Sequence, residues 1–250
     1  AGRPPPVVAE DVAGDGRERT VTPSDSTNGP APFDLDAASR IRREYGAWAP
    51  VYDWFARSTA SVGGVRDGCV AALDLEPGDT VVDFGCGPGV NFPALREAVG
   101  PDGRVVGVDV TGPMLERARR LVERRGWENV AVVQGDATRP PVRSADGVLS
   151  TFVTSLFADP YAVVCTWCDL ADHVVVTNFA PHGGRAANAA LWGFAQLNAR
   201  LFDVEAGNPL RQLQARTAES RRALVDCLDS VVYRDYLFGT IRLHAGYRAD

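Results

Sequence analysis

The sequence predicts a doubly wound α/β fold with a mostly parallel sheet. Two observations carry that prediction. Short apolar runs recur at 80–84, 104–110, 130–134, 147–151 and 173–178, and stretches with helical spacing lie between them. Strand-length and helix-length segments in alternation build a parallel sheet covered on both faces. The first run also leads directly into three glycines at every second position, Gly85, Gly87 and Gly89, and then into a helix-length stretch. Glycine is used where the backbone turns tightly or comes close to a ligand.

The elements follow in order. Residues 1–32 are rich in Pro, Gly, Ser, Asp and Thr and poor in large apolar side chains. They bury too little surface to offset ordering entropy, so 1–33 is expected as a flexible tail ahead of one domain, 34–250. Asp34 or Asp36 can cap the first helix, on which Ile41, Tyr45 and Trp48 approximate one face. Residues 65–73 read as a short helix, and Pro77-Gly78-Asp79 as the turn into the first strand. A helix is expected over 90–99, and Pro101-Asp102-Gly103 turns into the second strand. Pro113 opens a helix in which Met114, Leu115, Ala118 and Leu121 recur at helical spacing. Gly126 is its stop. Asp159-Pro160 begins the helix before the fifth strand. Beyond that strand lies more chain than one crossover helix needs, and a helical insert is expected at about 182–229. Its first helix, 186–202, is strongly apolar, with Leu191, Trp192 and Phe194; its second spans 209–228.

Composition excludes several functions. A hydrophobic content of 45% with 23% charged residues is that of an ordinary globular protein. The net charge of -6 and pI near 5.2 argue against a general nucleic-acid binder, which would show a basic stripe. No apolar run approaches the ~20 residues that span a bilayer, and residues 1–6 lack a signal-peptide core; a cytoplasmic location is expected. All 26 basic residues are arginine. Without lysine there is no Schiff base, no P-loop and no protein-kinase strand lysine. Five cysteines do not make a disulfide framework in a chain of this size. Cys69, Cys86 and Cys227 read as small buried side chains. Cys165-Thr166-Trp167-Cys168 reads either as a redox pair or half a metal site, or simply as two thiols on one helix face.

The end of a first strand is where doubly wound folds bind nucleotides. Here the spacing is G-x-G-x-G, and the position needed by the dinucleotide fingerprint G-x-G-x-x-G is Val90. Asp83 stands just before the glycines; its carboxylate would repel a pyrophosphate but attract an ammonium. Asp109 ends the second apolar run, 20 residues after Gly89, near the offset at which an acid meets ribose hydroxyls. The implied ligand has a ribose and a positive charge and no phosphate.

At Asp83-Phe84-Gly85-Cys86-Gly87-Pro88-Gly89 and at Asp109 the chain resembles the class I S-adenosylmethionine (SAM)-dependent methyltransferases. Gly107-Val108-Asp109-Val110-Thr111-Gly112-Pro113-Met114-Leu115 is similar to their ubiquinone/menaquinone-biosynthesis C-methyltransferase branch, over roughly 45–247. The resemblance implies a Rossmann-like sheet that ends in an antiparallel pair, 231–238 and 240–245, with a helical cap. It implies S-adenosyl-L-methionine as cofactor. Gly85, Cys86, Gly87 and Gly89 would then let backbone approach its methionine part. Asp83 would hold the amino group, Asp109 the ribose hydroxyls, and Val110 and Met114 the faces of the adenine. Asp136 and Ala137, in the third motif Gly135-Asp136-Ala137, would meet the adenine edge; Asp136 also reads as a strand-end turn former. Thr151 completes the cofactor set.

Methyl transfer is an in-line displacement that needs alignment and a dry site rather than a metal. A base helps when the nucleophile is a ring carbon. His182, just after the fifth strand, is the candidate base, against its reading as an exposed loop residue. Tyr52 belongs to a Tyr-Asp dipeptide like that found where the branch covers its cofactor, and is the second candidate catalytic residue. His173 and His244 lie in strands and read as structural. The chain departs from the branch at Leu170-Ala171-Asp172, where Pro-Gly-Gly is usual, and Phe179-Ala180-Pro181-His182 matches no known substrate motif. Ser150-Thr151-Phe152-Val153 stands where amino-methylating nucleic-acid enzymes carry Asn/Asp-Pro-Pro-Tyr/Phe.

The expected function is methyl transfer to a small, apolar acceptor, with C-methylation of a quinone precursor as the leading case. Phospholipid N-methylation, O-methylation of a secondary metabolite, and a non-catalytic SAM-binding domain are the alternatives. The expected partners are a small apolar or lipid-like molecule and a candidate homodimer mate, with no nucleic acid and no transmembrane segment. Residues 186–202, with Tyr45, Trp48 and Tyr52, are expected to close an apolar pocket over the transferred methyl group.

Overall fold

The structure is a computed structural model and describes residues 64–180 and 209–249. The described elements are α1 (Val65–Ala72), β1 (Thr80–Phe84), α2 (Phe92–Val99), β2 (Arg104–Asp109), α3 (Gly112–Arg125) and β3 (Val130–Gln134). After them come β4 (Gly147–Thr151), α4 (Pro160–Cys168), β5 (His173–Phe179), α5 (Pro209–Cys227), β6 (Ser230–Tyr236) and β7 (Ile241–Tyr247). The strands form one sheet in the order β3-β2-β1-β4-β5-β7-β6. Strands β1 to β5 are parallel, and β7 runs antiparallel between β5 and β6. Sheet order reverses between β1 and β4. That switch point opens a crevice at the carboxyl ends of the strands, where ligands of such folds bind.

The central parallel strands are mostly apolar runs because both faces of the sheet are covered there. Val81, Val82, Phe84, Val105, Val108 and Leu149 are fully buried. On one face α1 and α2 contribute Cys69, Leu73, Phe92 and Leu95. On the other, α4 and α5 contribute Val164, Trp167, Ala223 and Leu224. Trp167 stacks on Phe84, with ring centroids 5.0 Å apart and planes 12° from parallel. Its indole N–H donates to the Ala137 carbonyl at 2.9 Å, which satisfies the polar end of a buried ring.

Local chemistry sets the helix ends. Asp159 caps α4 by accepting the N–H of Ala162 at 2.9 Å, with Pro160 in the first turn. Gly126 ends α3 in the left-handed conformation, φ 63°. Helix α2 starts two residues later than expected because the glycine loop continues through a turn: the N–H of Phe92 reaches the Gly89 carbonyl at 3.2 Å. Strand β5 extends to Phe179, which pairs with Ile241. The final hairpin also differs. Instead of turning at Gly239 alone, the chain makes a short 3₁₀ turn at Leu237–Gly239, with Leu237 and Phe238 at φ 48° and 57°. Two successive side-chain-bearing residues with positive φ are uncommon, and nothing local in the sequence announces them.

Residues 1–63 and 181–208 lie outside the described residues. So do the tail, Tyr45, Trp48, Tyr52, His182 and the helix expected over 186–202. The second helix of the insert is α5. It packs on α4 and against the turn Thr154–Leu156: Ser220 Oγ and Thr154 Oγ1 are 3.2 Å apart, and an Arg216 guanidinium N–H donates to the Ser155 carbonyl. Cys227 is half-buried rather than buried, because it faces Cys165 across the α4–α5 contact. Among the described residues no helix is long and apolar enough to cross a membrane.

Candidate active site

The crevice is built from the carboxyl ends of β1, β2 and β4. The glycine loop follows β1 directly. Gly85 sits at φ +72°, and a Cβ there would fall 2.2 Å from Val153. Gly87 sits at φ +53°, and a Cβ there would meet no protein atom within 4 Å. One glycine is needed because the loop packs on the chain after β4; the other faces open space. The loop, α1 and the end of β4 line a cleft of about 460 Å³, part of it open to solvent.

Two acids stand beneath this loop. Asp83, in β1, is fully buried. Asn91 donates from Nδ2 to both of its carboxylate oxygens, at 3.3 and 3.2 Å, and to Thr151 Oγ1 at 3.2 Å. Burial pushes Asp83 up to about 7, opposed by the Asn91 hydrogen bonds. Asp109, at the end of β2, accepts the N–H of Gly87 at 2.9 Å and that of Thr111 at 2.7 Å. Its carboxylate therefore joins the glycine loop to the start of α3. Burial raises its pKa, and the backbone donors oppose the shift.

The other expected cofactor residues spread along the same edge of the sheet. Val110 follows Asp109 and is half-buried, whereas Met114 is buried in the first turn of α3. Asp136 lies just past β3, and its Oδ1 accepts the N–H of Thr138 at 2.9 Å, so it does form the strand-end turn. The Ala137 carbonyl is taken by Trp167. Cys86 is buried, with its thiol directed at the Gly87 carbonyl. Thr151 lines the cleft with the glycine loop. His173 Nδ1 lies 2.6 Å from the Leu73 carbonyl and His244 is buried within β7, as structural histidines would be. Among the described residues no cluster of His, Cys, Asp or Glu could hold a metal ion.

Three cleft residues carried no sequence signal. Asn91 joins Asp83 to Thr151. Arg66, on α1, lines the cleft, and its buried Nε and Nη2 have no hydrogen-bond partner among the described residues. Desolvation lowers its pKa, and Asp83 acts against that shift. Phe152 also lines the cleft, at φ 62°; its N–H donates to Thr177 at 2.7 Å, and its ring stacks on Phe179 at 4.6 Å. An aromatic residue held at positive φ stores strain, which collects at functional sites.

Residues 81–170 match the model of a family described as a methyltransferase domain. An aklanonic acid methyltransferase of Streptomyces is 34% identical over 98 residues, which are 38% of this chain and 44% of that protein. A nocamycin O-methyltransferase of Saccharothrix syringae is 40% identical over 101 residues, 39% of this chain and 36% of that protein. The chain thus spans less than half the length of these curated relatives. Among solved structures, a magnesium protoporphyrin IX methyltransferase from Synechocystis superposes with a TM-score of 0.61 at 19% identity, covering 86% of this chain and 100% of that one. That likeness shows the fold. The matched segment runs from β1 through α4 and contains both acids and the whole glycine loop, so residues 81–170 are similar to a methyltransferase domain over the part that builds the cleft.

Proposed function

We propose that the chain transfers the methyl group of SAM to a small, apolar acceptor. One observation carries the reading: a fully buried acid and a half-buried one stand at the ends of adjacent strands, and Asp109 grips the glycine loop whose open side faces the cleft. The residues present fit the cofactor. Arg66 offers buried guanidinium N–H groups without partners among the described residues, and Asp83 offers a buried carboxylate; together they match the carboxylate and ammonium of a methionine group. Asp109 is left to meet ribose hydroxyls, with Val110 and Met114 at the faces of the adenine and Asp136 and Ala137 at its edge.

When bound, SAM supplies a methyl carbon already activated by its sulfonium. The chain's own residues bind, orient and exclude water. Asp109 holds loop and ribose in one register. Gly85, Cys86, Gly87 and Gly89 allow backbone contact, and Thr151 with Asn91 fixes the Asp83 carboxylate. The stacked Phe152 and Phe179 rings supply an apolar wall beside the cleft, which supports an apolar, ring-bearing acceptor. His182 as base and Tyr52 as cover are proposed from sequence position alone.

C-methylation of a quinone precursor is the leading acceptor reading, from the likeness around Asp109. O-methylation of a secondary metabolite is the second, favoured by the nocamycin O-methyltransferase among the relatives. The test is incubation with methyl-labelled SAM and a panel of apolar phenols, enols and quinols. Label in an organic-extractable product supports the reading, and the labelled atom separates C- from O-transfer. SAM binding without transfer to any acceptor would favour the non-catalytic alternative. Failure to bind SAM would sink the whole reading.

A further inference from the structure

Three of the five cysteines gather on the face of the sheet away from α1. Cys165 and Cys168 lie on α4, and Cys227 ends α5. Cys165 Sγ and Cys227 Sγ are 2.7 Å apart, although 62 positions separate them in the chain. A disulfide needs sulfurs at about 2.05 Å and Cβ atoms at about 3.5–4.5 Å. Only a small side-chain adjustment separates this pair from that bond. The C-x-x-C motif cannot close so readily, because residues three apart on a helix have Cβ atoms about 5–6 Å apart.

Exposure picks out the same pair. Cys69, Cys86 and Cys168 are at most 2% exposed, whereas Cys165 and Cys227 are half-buried. A reagent in solution meets these two sulfurs first. Their surroundings on the solvent side are polar: the Tyr161 hydroxyl donates to Asp226 at 3.1 Å, and Arg222 lies over the Tyr161 ring.

We propose that Cys165 and Cys227 are a thiol modification site, which low-molecular-weight disulfides oxidise to a covalent bridge between α4 and α5. One thiolate of the pair attacks a sulfur of the small disulfide, forming a mixed disulfide and releasing one small thiol. The second protein thiolate then attacks the protein sulfur of that mixed disulfide and releases the other small thiol. Two protein thiols are oxidised, one small disulfide is reduced, and both protons end on the two small thiols. Burial, then the Cys227 contact, push Cys165 up to about 12. Little thiolate is present at neutral pH and the sulfur is a poor leaving group, so exchange is slow in both directions. The bridge would tie down a helix that also holds the turn after β4, through Arg216 and Ser220. It requires neither SAM nor an acceptor.

The test is incubation of the full chain with glutathione disulfide, followed by thiol titration and peptide mapping. The free-thiol count should fall by two from five, with a Cys165–Cys227 cross-linked peptide. The melting temperature should rise by roughly 5–15 °C, and dithiothreitol should reverse both changes. Cys165→Ser and Cys227→Ser should each abolish the cross-link, and Cys168→Ser should keep it. A Cys165–Cys168 link, persistent glutathione adducts on Cys165 or Cys227, or five unreacted thiols in the folded wild type would overturn the proposal. Mapping of the wild type decides the matter even if a serine variant fails to fold.

Discussion

Asn91 Nδ2 lies within 3.3 Å of both carboxylate oxygens of Asp83, and it is the side chain that answers a fully buried acid. Burial still outweighs this bond and lifts Asp83 from 3.8 to about 7. The folded chain therefore holds this proton more tightly than the unfolded one. The group's stabilising contribution is full below about pH 4 and is lost as pH rises through 7. Asp83→Asn should remove that pH dependence, which amounts to on the order of 4 kcal/mol. Urea midpoints of wild type and variant between pH 4 and 8 check this. Parallel curves would mean that Asp83 titrates normally.

SAM affinity should show the opposite trend. An ammonium prefers the ionised carboxylate, so binding to wild type should weaken about tenfold for each pH unit below 7. Calorimetry at pH 5.5, 6.5 and 7.5 reads this directly. A flat profile would remove Asp83 from the ammonium site.

Asp109→Ala removes the acceptor for Gly87 and Thr111 as well as the proposed ribose contacts. Charge-assisted hydrogen bonds contribute about 1.5–3 kcal/mol each. SAM affinity should fall by about 100-fold or more. Unchanged affinity in a folded variant would be incompatible with the ribose assignment.

Gly85→Ala combines a positive φ with a Cβ 2.2 Å from Val153. The loop must shift, and stability should drop by about 2 kcal/mol or more. Because the loop faces the cleft, SAM binding should suffer more than stability does. Gly87→Ala should strain the backbone without that clash, and should be the milder change in thermal melts.

Arg66→Met keeps an unbranched apolar stem and removes the cation. It relieves a desolvated guanidinium whose Nε and Nη2 find no partner among the described residues, so the melting temperature should hold or rise. SAM affinity should fall about tenfold or more, while affinity for decarboxylated SAM should barely change. Equal losses for both ligands would mean that Arg66 does not meet the carboxylate.

Strands β1, β3 and β4 begin and end where the sequence predicts. They are short apolar runs bounded by Gly, Pro and Asp, and both signals are local. Asp83 and Asp109 were legible for the same reason: each sits at a fixed place relative to a strand end. Arg66 was not, because its place in the cleft depends on α1 lying against a loop some twenty residues further on. The hairpin turn at Leu237–Gly239 was misplaced because it is set by the pairing of Tyr236 with Ile241, a matter of register between strands.

The sequence by itself determined the alternation of strands and helices, the glycine loop and the two acids beside it. Periodicity and turn chemistry act over a few residues and can be read there. Tertiary structure decided which side chains meet. Strand order brings Phe152 beside Phe179, the path of the glycine loop brings Asn91 back onto Asp83, and the packing of α4 on α5 brings Cys165 beside Cys227. Those meetings arise from burying two faces of one sheet at once, and no local pattern encodes them.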